Sequence, residues 1–129
     1  GAGWDAIDGK APALDNLLEW KKSSPEDYRG IMGGIKMMCF NRKIPKSLRL
    51  VSCIGYPGLV EIKAPRKNAR LFCFLHNRGT EREELVICTG GFWKTNDKKN
   101  TIQKQNDAMK EAYRQRAVFL KLLKEDKND

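Results

Sequence analysis

The chain has 129 residues, enough for one domain with a core of its own. With 40% hydrophobic and 32% charged residues it is excluded from the disordered tails, and no apolar run approaches the roughly 20 residues of a membrane-spanning helix. Lys and Arg total 25 against 16 Asp and Glu, a net charge of +9 that points to an anionic partner.

The opening Gly1 to Asp5 has neither the basic nor the apolar part of a signal peptide, so a cytoplasmic location is expected. It also lacks Met, and the first one or two residues are read as a cloning or processing remnant. Residues 1–10 are expected to be flexible or to form a short first strand. Leu14, Leu17 and Leu18 then repeat at helical spacing and predict a helix over about 11–22. Ser24 is a capping residue and Pro25 suits a first helical position. Glu26 and Asp27 favour the positive end of a helix dipole. Tyr28, Ile31, Met32, Ile35, Met38 and Cys39 follow as one apolar stripe, predicting a second helix over 25–41.

Ile44-Pro45 ends that helix and opens a basic connection; Gly55-Tyr56-Pro57-Gly58 reads as a turn. Three β-type runs come next. Leu59 to Lys63 alternates. Ala69 to Leu75 alternates as well, with Leu71, Cys73 and Leu75 on one face and Arg70, Phe72 and Phe74 on the other. Leu85 to Cys88 is a continuous apolar run, expected of a strand covered on both sides. A hairpin loop over 77–81 joins the second and third runs. Gly90 and Gly91 leave the last strand, and a helix is predicted from Thr101 to about Lys124, with 125–129 frayed. Ile102, Met109, Tyr113, Leu120 and Leu123 supply its apolar stripe. The expectation is a single α+β domain over 1–129. It has a small twisted antiparallel sheet of three or four strands, packed by helices on one side, two N-terminal and one long and C-terminal.

Cys39, Cys53, Cys73 and Cys88 form no CxxC pair and are read as reduced, mostly buried cysteines. With a single histidine, neither a metal site nor a cofactor is expected. Two stretches lack acidic residues. The first carries Arg42, Lys43, Lys46 and Arg49; the second carries Lys63, Arg66, Lys67, Arg70 and Arg78. Arg70 lies between apolar runs, where a lone guanidinium is too costly to bury. It either offers its fork to a phosphate or pairs with Glu61 or Glu84. Lys63, Arg66 and Lys67 should gather near one end of the sheet, and Lys94, Lys98 and Lys99 follow the last strand, so that all could line one groove. Trp93, next to Lys94, either stacks on a base or anchors the turn. His76, on the face of Arg70, is either an acid–base or a surface residue.

The stretches Leu59-Val60-Glu61-Ile62-Lys63, Ala69-Arg70-Leu71-Phe72-Cys73-Phe74 and Gly91-Phe92-Trp93-Lys94-Thr95 precede a helix with Ala108 and Ala112. In that order they resemble the RelE/HigB toxin superfamily, and within it the phage-derived, host-killing branch. The likeness covers about residues 11–120. The resemblance implies a toxin of a toxin–antitoxin pair, a metal-independent endoribonuclease that cuts mRNA on the ribosome and is neutralised by a cognate antitoxin. It implies that Arg70 contacts the scissile phosphate and that Lys94 is the first lysine of the turn motif. Thr95 stands where the family has a second lysine. Two other readings fit the same residues. One is a non-catalytic RNA- or ribosome-binding module; the other is a domain whose basic face meets an acidic protein.

Overall fold

Helix and strand choices follow from which side chains each element buries. The structure, a computed structural model, describes residues 12–41, 49–63, 68–76, 81 and 85–127. Helix α1 runs Pro12–Ser23 and buries Ala13, Leu17 and Trp20, a single stripe at steps of four and three. The stripe is rotated from the expected one: Leu18 is exposed and Trp20 takes its place in the core. Lys21 and Lys22 sit in the last turn, where the helix dipole favours cations.

Ser24 closes α1 and opens α2, Pro25–Asn41: its amide donates to the Trp20 carbonyl and its own carbonyl accepts from Tyr28. The Ser24 hydroxyl donates to Asp27 Oδ1 at 2.8 Å. Asp27 Oδ2 accepts the backbone amides of Asn68 and Ala69, each at 2.8 Å. A first-turn carboxylate of α2 thus fixes where the third strand begins. Ile31, Ile35 and Met38 are the buried side of α2, and Cys39 is exposed.

The four strands are β1, Arg49–Ser52; β2, Val60–Lys63; β3, Ala69–His76; and β4, Leu85–Trp93. They form one antiparallel meander in the order β1-β2-β3-β4. The α+β class, the two N-terminal helices and the long C-terminal helix stand as expected. Strand β1 falls in the stretch read as a basic connection. It has only four residues and no alternation, so its strand character comes from pairing with β2 rather than from its own pattern. Between β1 and β2 the Gly55–Gly58 turn is present, with Gly55 at φ 87° and Gly58 at φ 83°.

Strand β4 runs on through Gly90 and Gly91, where the sequence reading ended it. Gly91 is required by the close approach of Trp20 and of the Arg70 backbone, and Gly90 by its positive φ. A Cβ on Gly91 would stand 2.9 Å from the Trp20 ring and 2.5 Å from the Arg70 carbonyl oxygen; one on Gly90, at φ 153°, would touch Ala112. Thr89 is an extra residue, since Phe72 pairs with Gly90 but Cys73 with Cys88. The Leu85–Cys88 run is only partly buried, because β4 is an edge strand and not a covered central one.

The helices are not on one side. Helices α1 and α2 pack on the face of Ile62, Ala69, Leu71 and Cys73. The long helix α3, Lys98–Lys127, packs on the opposite face with Leu59, Phe72 and Phe92. Helix α3 begins three residues earlier than the periodicity indicated, because Asp97 caps it through the Asn100 amide. Its seat on the sheet is partly polar: Thr101, Ala112 and Gln115 are buried and Ile102 is exposed. Residues 1–11, 42–48, 64–67, 77–80, 82–84 and 128–129 lie outside the described residues. The possible first strand, the first basic block but for Arg49, Arg66, Lys67, Arg78, Glu84 and most of the hairpin loop are among them.

Candidate nucleic-acid interface

One end of the sheet collects cations by topology. Strand β2 ends at Lys63, which is in register with Arg70 near the start of β3, and Arg70 is in register with Phe92 near the end of β4. The Lys94 amide donates to the Asn68 carbonyl at 2.8 Å, so the chain leaves β4 beside the start of β3. Thr95 and Thr101 then join by hydroxyls 3.0 Å apart and fold the link onto the first turn of α3. Lys63 is partly buried, while Lys94, Lys98 and Lys99 are exposed. These four cations therefore stand at one end, next to the positive terminus of a 30-residue helix.

Arg70 belongs to this end by position and not by access. It is 8% exposed and lies on the face that α3 covers. Its Nε is 3.4 Å from Glu61 Oε1, an ion pair without hydrogen-bond geometry, and one terminal nitrogen donates to its neighbour's carbonyl, Ala69, at 3.0 Å. Glu61 is itself buried, and its Oε2 accepts from Gln105 of α3 at 3.1 Å. Burial pushes the Arg70 guanidinium below its usual pKa, while Glu61 and then Asp27 pull it back up. Of the two fates open to Arg70, the pairing with Glu61 is the one the structure contains.

His76 stands at the far end of β3, about 20 Å from Arg70 at strand rise. It lies edge-on to Phe74 and Phe119, at 6.5 and 5.8 Å between centroids. The expected trio of Arg70, Lys94 and His76 is therefore not assembled. Trp93 points to the α1–α2 side and is partly buried against that core, while Phe92 stacks on Phe72 at 5.9 Å. All four cysteines are free thiols. Among the described residues no cluster of His, Cys, Asp or Glu is arranged to hold a metal ion, and no helix is long and apolar enough to cross a membrane.

Gln105 and Arg116 escaped sequence reasoning, as did the tie of Asp27 to the start of β3. Arg116 had a signal, since an arginine one helical turn beyond Ala112 on a sheet-facing stripe raises the question Arg70 raised. No family model, curated protein or solved structure matches this chain.

Proposed function

We propose that this chain is an RNA-binding domain that holds a strand by its phosphates at the lysine-bearing end of the sheet and does not cut it. The observation that carries this reading is the gathering of Lys63, Lys94, Lys98 and Lys99 at one end, while the guanidinium a nuclease would need is committed to Glu61. Lysines act on phosphates as point charges, and counterion release makes such binding salt-sensitive. Fluorescence anisotropy with a labelled single-stranded RNA provides the test. Affinity should fall as salt rises, with a log–log slope of about −0.7 per phosphate neutralised. The Lys98→Glu, Lys99→Glu double variant should bind on the order of tenfold more weakly at low salt. Retention of an acidic protein but no RNA would overturn the proposal.

A second reading has one observation in its favour. A small antiparallel sheet with helices packed on it is what the likeness to the RelE/HigB toxins implies. In that reading the chain is a ribosome-dependent mRNA endoribonuclease, held in check by an antitoxin, with Lys94, Lys98 and Lys99 stabilising the phosphate. Expression in a bacterial host separates the two. Growth arrest with cleaved mRNA, lost in Lys94→Ala, supports the toxin; bound but intact RNA in the presence of translating ribosomes supports the binding domain.

A further inference from the structure

Arg116 is a cation with no counter-charge among the described residues. It follows Ala112 by one turn on α3 and is partly buried between the helix and the β1–β2 turn. Its guanidinium carbon lies 5.1 Å from the centroid of the Phe74 ring and 5.8 Å from that of Tyr113. Tyr113 packs in turn on Tyr56 of the turn, 5.4 Å away. One terminal nitrogen is 3.2 Å from where a Cβ on Gly58 would stand, so the turn closes over the guanidinium at a residue that has none. Among the described residues no carboxylate lies within ion-pair distance of Arg116, and its Nε is buried without an acceptor.

Two other arginines, Arg70 of the sheet and Arg114 of α3, make the contrast. Arg70 has Glu61, and Arg114 grips Glu111 with two nitrogens at 2.8 and 3.0 Å. Arg116 has aromatic faces instead. These attract its charge, but they accept none of its five N–H donors in the plane of the guanidinium. The ring contacts hold the guanidinium in place, and the side chain is only partly buried. A fixed fork of this kind matches two oxygens of one tetrahedral anion.

We propose that Arg116, held by Phe74, Tyr113 and the Gly58 turn, is an anion-binding site for a phosphate group. On the RNA reading given above, on which this identification of the ligand rests, that group is a backbone phosphodiester. Lys98 and Arg116 are 18 residues apart on one helix, a separation of about 27 Å. A single strand lying along α3 engages the lysine end and Arg116 together, and the two contacts reinforce each other through the strand that links them.

The Arg116 Nε–H resonance, assigned by its loss in Arg116→Gln, reports on the site directly. It should move saturably when inorganic phosphate is added, and at lower concentration with a single-stranded oligouridylate. Arg116→Gln should weaken oligouridylate binding about five- to tenfold, measured at a temperature where both proteins are fully folded, and Arg116→Lys, which keeps the charge and loses the fork, should fall between. If oligouridylate binds with this resonance unmoved, the inference is overturned and the RNA reading stands on the lysines alone. If phosphate moves it and no RNA binds, the anion site is upheld and the RNA reading falls. A response to polyglutamate and not to phosphate overturns the site as described.

Discussion

A guanidinium on the inner face of a sheet needs a counter-charge, and Arg70 takes its own from the adjacent strand. A buried pair of this kind contributes little net stability, but breaking it is expensive, because the remaining charge stays buried. Arg70→Ala should therefore destabilise the fold by about 3–5 kcal/mol in urea unfolding, while the folded fraction keeps its RNA affinity. Replacing both partners, Arg70→Met with Glu61→Leu, should recover much of that loss. The sequence made Arg70 conspicuous, since an arginine amid Ala69, Leu71 and Phe72 cannot be idle. It did not reveal which of two fates it meets. That depends on Gln105, 44 positions from Glu61, arriving on α3 to cover the same face.

Elements with a strong period were legible and those defined by contact were not. Helix α2 announces itself through Ser24, Pro25 and the Ile31–Ile35–Met38 spacing. Strand β1 has no pattern of its own, and Gly90-Gly91 reads locally as an exit from β4 although it lies within the strand. The pair makes sense only in the folded sheet, with Trp20 and the Arg70 carbonyl crowding Gly91 and a positive φ at Gly90. Two glycine substitutions should accordingly differ in sign. Gly91→Ala puts a methyl 2.5 Å from a carbonyl oxygen and should cost on the order of 1–3 kcal/mol or more. Gly33→Ala, inside α2 with nothing within 4 Å, should stabilise by about 0.5–1 kcal/mol. Urea midpoints of the two variants against the parent measure both.

At the scale of the whole molecule, three of the four thiols, those of Cys53, Cys73 and Cys88, are drawn into the interior while that of Cys39 is exposed. Burial pushes the Cys53 thiol from its usual 9.0 to about 11, with Glu61 adding to the shift, and lifts Cys88 to about 12 and Cys73 well above its usual value. These groups ionise near pH 9 in the unfolded chain and stay protonated in the folded one. Their contribution is thus complete below pH 9 and lost as pH climbs toward the folded values. The urea midpoint should fall between pH 9 and 11, and a Cys53→Ala, Cys73→Ala, Cys88→Ala variant, less stable at the outset, should show a shallower fall. The net charge of +9 comes from composition, and the gathering of Lys63, Lys94, Lys98 and Lys99 near one end of the sheet is expected from the order of the strands. The placing of α3 has a consequence for biosynthesis. One side of the sheet, with Phe72, Phe74 and Phe92, has no cover until the residues around Ala112 have been made, long after the opposite side is sealed by α1 and α2. A nascent chain paused in between presents bare aromatic rings and a half-neutralised ion pair, lacking its Gln105 donor, to whatever holdase or protease waits at the tunnel exit.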